Sequence, residues 1–243
     1  MTLLEAIAVR RSRRKYLPMP IDIQTKESLL TLAVEYSEKA GARIELVFDD
    51  GSAFDGLRKT YGMLSGVRNY AGLIARRDDP QAIERLGYYG ELLMLRAVAM
   101  GLGACWVGGS FDRGCCPFAL SEGEQIVCTI TLGYAREKNS LRESLIYGVT
   151  HRKTKTIEDM TAADAPAPDW FTAGIRAVQK APSAVNRQPV LFSFKDGMVT
   201  ANVENPGSMT LLDMGIAKLH FALGAGGGSW DWGNNALFHP EAQ

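Results

Sequence analysis

Arg10-Arg11-Ser12-Arg13-Arg14-Lys15-Tyr16 packs five cations and a serine hydroxyl into seven consecutive residues, in a 243-residue chain of formal net charge zero. Like charges this close repel one another, so such a run calls for an anion. The guanidinium fork matches phosphate best, because two parallel N–H donors meet two oxygens. The run therefore reads as the holder of a phosphate. It also reads as a solvated basic helix end, or as an arm touching nucleic acid or membrane. Thr2-Leu3-Leu4-Glu5 just before it is a capping-box pattern that opens a short helix ending near Val9. Cations are favoured at a helix C-terminus, but two would suffice there.

The whole chain narrows these choices. A hydrophobic content of 46% with 22% charge describes a globular protein with a real core. Zero net charge and a pI near 6.8 argue against a general nucleic-acid binder. Cys105, Cys115, Cys116 and Cys128 form no C-x-x-C pair and no disulfide framework, which suits a reducing cytosol. His151, His220 and His239 stand at no metal-ligand spacing. The apolar run from Leu92 to Val107 is broken by Arg96, and the N-terminus lacks a cleavage signal. A cytoplasmic protein without membrane or nucleic-acid partners is expected.

Along the chain, Asp22 caps a helix to Ala40 that Gly41 stops. Residues 42–48 alternate as a strand, 53–64 look weakly helical, and 71–75 form a short strand. A long, apolar helix is expected from about Gln81 to Leu102, then an extended piece from Ala104 to Gly109 and a strand from Gln125 to Gly133. Residues 135–157 are polar without periodicity. Residues 160–168 have the composition of a linker. Asp169 caps a helix to about Gln179. A hairpin at 190–203 turns on Lys195-Asp196-Gly197, and a last helix fills about Thr210 to Gly224. Residues 230–243 show no interpretable period. An order of helix, loop, strand, Asp-Gly turn and buried helix occurs twice. Gly90 and Gly103 flank the end of the first buried helix as Gly215 and Gly228 flank the second, although glycine-rich helix ends can coincide by chance.

Four pieces carry a resemblance. Arg10, Arg11, Ser12 and Arg14 fall on an R-R-S-x-R pattern. Ala181-Pro182-Ser183-Ala184-Val185-Asn186-Arg187-Gln188-Pro189 falls on A-P-S-x-x-N-x-Q-P. Gly101-Leu102-Gly103-Ala104-Cys105-Trp106-Val107-Gly108-Gly109 falls on G-L-G-T-C-W-x-G-G. Asn69 and the pair Arg152-Lys153 are weaker matches. Together they resemble the FMN-dependent nitroreductase family, and more closely a single-chain branch with two fused half-units.

The resemblance implies an α+β sandwich, a mostly antiparallel central sheet flanked by helices, with two pseudo-repeats in one chain. It implies one structural domain over 1–243, with halves at about 1–160 and 166–243. The implied cofactor is FMN. Arg10, Arg11, Ser12 and Arg14 would hold its phosphate and ribityl chain. Val107, Gly108 and Gly109 would lie by the ring, Asn69 would contact it, and Pro182, Ser183, Ala184 and Asn186 would cover it. Arg152 and Lys153 would reach the phosphate or pyrimidine edge, with Lys138 and Lys155 as rivals. In typical members the Pro-Ser loop follows the second helix, where this chain has Glu38-Lys39-Ala40-Gly41-Ala42-Arg43. Each half keeps what the other lost, which implies one flavin site per chain and a monomer or weak homodimer. The implied activity is transfer of electrons from NADH or NADPH to nitroaromatic, quinone or similar acceptors, with no protein residue as acid, base or nucleophile. Cys105 reads as a core residue. A flavin-binding sensor or storage protein without turnover is the alternative.

Overall fold

The computed structural model describes residues 1–56, 62–136, 154–164 and 166–241. Helix α1 (Leu3–Val9) opens on the expected capping box: Thr2 N donates to Glu5 Oε2 at 2.7 Å, and Glu5 N to Thr2 Oγ1 at 3.2 Å. Asp22 caps α2 (Ile23–Ala40) by accepting from Thr25 N at 2.9 Å, and Gly41 ends it in the left-handed region. Asp79 caps α3 (Pro80–Ala99), where Pro80 in the first turn forfeits no helical hydrogen bond. Helix α4 is Asp169–Val178 and α5 is Ser208–Gly224.

The strands β1 (Arg43–Val47), β2 (Asn69–Arg76), β3 (Gly103–Val107) and β4 (Glu124–Gly133) form an antiparallel sheet in the order β1-β2-β4-β3. A second sheet contains β5 (Thr161–Ala163), β6 (Val190–Lys195), β7 (Met198–Val203), β8 (Gly228–Trp230) and β9 (Ala236–Pro240), in the order β5-β6-β7-β9-β8. Among the strands of the described residues only β5 runs parallel to its neighbour. The α+β class holds, with antiparallel sheets flanked by helices, but the strands divide into two sheets where the sequence suggested one. In each sheet a hairpin leads into a buried helix, and two further strands follow. Helix α3 links β2 to β3, and α5 links β7 to β8.

The two long buried helices meet in the middle of the molecule. Their backbones approach so closely that side chains are excluded at the crossing. A Cβ on Gly87 would stand 2.2 Å from the Leu212 carbonyl oxygen, and one on Gly215 would stand 1.9 Å from that of Glu84. One continuous apolar core spans both sheets and their helices, from Leu29, Leu73, Leu93 and Ile130 to Phe171, Phe192, Leu212 and Phe221. Strands β2 and β4 are buried almost throughout, which is why they read as apolar runs rather than alternations.

Three segments differ from the sequence reading. The supposed linker begins with a buried Met160, and its residues 161–163 pair with β6. Small residues there read as linker composition, yet they fit a sheet edge. The uninterpreted tail contributes Trp230 to β8 and all of β9, whose Phe238 packs on Trp230 with ring centroids 4.9 Å apart. Of the weak helix at 53–64, a single 3-10 turn at Ser52–Phe54 is present, and residues 57–61 lie outside the described residues.

Candidate functional site

The basic run is held extended across the first sheet. Ser12 bridges Ala104 of β3 in parallel, and Arg13 N donates to the Ala104 carbonyl at 2.9 Å. Tyr16 N donates to Ser65 O at 3.0 Å and Leu17 N to Tyr134 O at 2.8 Å. The Tyr16 hydroxyl is buried against Thr131, with 2.7 Å between the two oxygens. Backbone pairing therefore fixes the run on both sides, with Arg11 and Lys15 exposed, Ser12, Arg13 and Arg14 half-buried and Tyr16 buried.

Arg10 turns inward and Arg11 outward. Arg10 Nη2 donates to the Lys180 carbonyl at 3.3 Å, across 170 residues of sequence. Its side chain is only 10% exposed, and its Nε lies 3.9 Å from Glu91 Oε1. Arg10 Nε and Nη1 are buried without a hydrogen-bond partner among the described residues. An unmet buried donor costs about 1–3 kcal/mol, so these two mark a place for an acceptor. Arg14 is half-buried, with Nη1 at 3.5 Å from Ser12 O.

Lys180 leads directly into the loop 181–189. This loop is strained: Val185, Asn186 and Gln188 have φ of 46°, 52° and 48°. Left-handed backbone at non-glycine residues persists when surrounding bonds over-determine it. Those bonds are present here. Ala184 N donates to both carboxylate oxygens of Asp213, at 3.0 and 3.2 Å. Gln188 N donates to Ser183 Oγ at 3.0 Å, and Gln188 Oε1 accepts from Lys155 N at 2.8 Å. Burial pushes the Asp213 carboxyl up to about 7, against the opposing pull of the Ala184 N–H. A cavity of about 10 Å³, room for roughly one water, lies between the loop and α5 beside Pro182, Gln188 and Asp213. A wider depression of about 520 Å³ sits by Asn202 and Asn234 on the second sheet; of the loop residues, Pro189 alone lines it.

The first turns of α5 bring the loop and the Val107–Gly109 piece together. Met209 Sδ would lie 3.1 Å from a Cβ on Gly108, while Asp213, one helical turn further on, holds Ala184. One turn is about 5.4 Å. Val107 is buried, and its carbonyl accepts from Thr129 Oγ1 at 3.1 Å. Gly109 is exposed with open space where a Cβ would stand. Pro182, Ser183, Ala184 and Asn186 are half-buried at the seam.

Asn69 is buried at the head of β2, and its Oδ1 accepts from Asp49 N at 3.1 Å. It stands on one transverse row with Leu132, Ala104 and Ser12. Three strand spacings put it about 14 Å from Ser12. Arg152, Lys153 and Lys138 lie outside the described residues. Lys155 reaches the 181–189 loop through its backbone. Cys105 is buried in the core, as expected. Among the described residues no group of three or more His, Cys, Asp or Glu side chains could hold a metal ion, and no helix is long and apolar enough to cross a membrane.

Sequence reasoning missed Glu91, Asp213 and His220, all buried polar residues on the two long helices. The available signal was a polar residue at a core position of an otherwise apolar helix, which marks a network or a site rather than naming its partner.

Two antiparallel sheets on a pair of glycine-crossed buried helices, with a basic strand on the first sheet, define a nitroreductase-like fold. Residues 2–225 match the model of the family described as "Putative TM nitroreductase", and the chain belongs to that family. Membership places it among the nitroreductase-like oxidoreductases. The crystal structure of a "putative nitroreductase" from Thermotoga maritima is similar at 21% identity and a TM-score of 0.66, covering 98% of this chain and 92% of that one. An FMN-dependent nitroreductase from Clostridium difficile matches at 20% identity and a TM-score of 0.45, covering 60% of this chain and 96% of that one. A search of curated proteins gives no significant match.

Proposed function

We propose that the protein is an FMN-dependent oxidoreductase that takes electrons from NADH or NADPH and passes them to nitroaromatic, quinone or similar conjugated acceptors. The observation that carries this reading is Arg10. It is a nine-tenths buried guanidinium with two unmet donors, tied to the carbonyl that leads into the 181–189 loop. A phosphate is the acceptor that best suits such a fork. The R-R-S-x-R and A-P-S-x-x-N-x-Q-P stretches, by their resemblance to FMN-dependent nitroreductases, support the same cofactor independently of that geometry.

In this reading residues 1–160 and 166–243 are two halves of one domain, and a single FMN site lies between them. Arg10, Ser12 and Arg14 hold the phosphate end, with Arg11 adding positive field from the surface. The Val107–Gly109 backbone allows close approach of a flat ring on one side. Pro182, Ser183, Ala184 and Asn186 cover it from the other half. Asn69 fixes the entry to β2 and reaches the site from the sheet. Bound FMN supplies the hydride and electron chemistry. The residues of the chain bind it, orient it and limit water, and none is assigned as acid, base or nucleophile. The chain works as a monomer or weak homodimer, because the pairing of halves that a two-subunit site needs is internal.

The test is the absorbance spectrum of the purified protein. Flavin bands that bleach with NADH or NADPH, and return on adding a nitro or quinone acceptor, are the expected result. A colourless protein that takes up no FMN would end the reading, and a yellow one inert to both nucleotides would make it a binding protein. The double substitution of Arg10→Ala and Arg14→Ala should release the flavin while the far-ultraviolet circular dichroism stays native.

A further inference from the structure

Glu91 of α3 and His220 of α5 are both fully buried, and they meet where the two halves join. His220 Nδ1 lies 3.1 Å from the Ala177 carbonyl oxygen of α4, and Nε2 lies 3.0 Å from Glu91 Oε1. A carbonyl oxygen only accepts, so Nδ1 carries a proton. Nε2 and Oε1 then need one further proton between them, on the imidazole or on the carboxyl group. The other oxygen, Glu91 Oε2, accepts from Trp106 Nε1 at 2.7 Å. Arg10 Nε lies 3.9 Å from the same Oε1, within ion-pair range but too far for a hydrogen bond.

We propose that His220 is a positioning residue for the anion site at Arg10: by holding Glu91 Oε1 it keeps that oxygen off the guanidinium, and the Arg10 donors stay available to a phosphoryl group. This deepens the flavin reading above and rests on it. With one proton shared between Glu91 and His220, the three side chains carry a net charge of +1. A phosphate is attracted. Without that proton, or without His220, Glu91 becomes a bare carboxylate beside Arg10. The two close into a neutral pair, and an incoming phosphate meets the carboxylate charge. Among the described residues, the charged groups facing His220 are Glu91 from α3 and Arg10 from the segment after α1. Helix α4 contributes the Ala177 carbonyl, and β3 contributes the Trp106 N–H, which holds Glu91.

The experiment is titration of the apoprotein with FMN, read by quenching of flavin fluorescence. The variants are His220→Leu, His220→Gln, Glu91→Gln and the double variant H220L/E91Q. His220→Leu should weaken FMN about tenfold or more, the scale of one hydrogen bond to a charged group. His220→Gln keeps a donor near the Nε2 position and should bind close to wild type. H220L/E91Q should recover most of the loss, because the neutral amide cannot capture Arg10. Undiminished binding by His220→Leu, or a folded double variant as weak as His220→Leu, would overturn the proposal. If His220→Leu does not fold, Glu91→Gln decides: weaker FMN binding than wild type, with the competing carboxylate gone, overturns it. Failure of wild type to bind FMN at all defeats the flavin reading instead. The role of His220 is then read without ligand from the Arg10 Nε–H resonance. That resonance should move downfield in His220→Leu and return in H220L/E91Q. An unmoved signal would sink the proposal by itself.

Discussion

At the scale of single residues, this protein is governed by polar groups placed where water cannot reach. Asp213 shows the consequence for stability. Its carboxyl is raised from 3.8 to about 7 by burial, so the folded chain keeps a proton that the unfolded chain releases. Between about pH 4 and pH 7 the folded state therefore binds more protons, and stability falls as pH rises through that window, then levels off. The contribution is on the order of 4 kcal/mol across the window. Asp213→Asn keeps an oxygen for the Ala184 N–H and removes the charge. Its urea midpoint should be flatter than that of wild type from pH 5 to 8, and higher at pH 8. Equal slopes for the two proteins would show that Asp213 does not titrate there. Val185 offers a second case, exposed and β-branched at φ 46°. Val185→Gly should raise stability by about 1 kcal/mol, measured by urea unfolding, because the left-handed backbone costs a branched side chain about that much.

At the scale of elements, the crossing of α3 and α5 sets the molecule's tolerances. Gly215→Ala drives a methyl into the Glu84 carbonyl and should destabilise the protein by about 3 kcal/mol or more. Gly207→Ala, with nothing within 4 Å, should change the urea midpoint little. Both buried helices were legible in the sequence, since long apolar runs ending in glycines state their extent. So were α1, α2 and the hairpin at 190–203. What was not legible was partnership. The fragments Thr161–Ala163 and Ala236–Pro240 are too short to carry a period, and each exists because a neighbouring strand edge accepts it. The sequence also presents Arg10 and Arg14 as equals. Arg10 is instead held at the interior seam by its bond to the Lys180 carbonyl, a partner 170 residues away that no local pattern announces. Burial alone would have flagged Glu91 and His220, but not that they meet, with His220 Nε2 at 3.0 Å from Glu91 Oε1.

At the scale of the whole molecule, the two buried helices are joined by more than apolar contact. Lys218 and Glu84 form a fully buried ion pair across α5 and α3. Lys218 Nζ also donates to the carbonyls of Asp231 and Gly233, at 3.2 and 3.1 Å. Burial pushes the Lys218 ammonium down, and Glu84 opposes that. Lys218→Met leaves a carboxylate buried without its partner and should cost about 3–5 kcal/mol in a denaturation experiment. The double variant K218M/E84M should regain most of that loss, since two packed apolar side chains replace a desolvated pair. The bond from Arg10 to Lys180 has another consequence, in time. At roughly 5–20 residues per second of synthesis, the 170 residues between them take about 10–30 s to emerge. For that interval the nascent chain carries its cations without the second wall that sets their geometry. Glu91 waits longer still for His220. Cofactor capture would then be a late event in the life of the chain, after translation has supplied both sides of the seam.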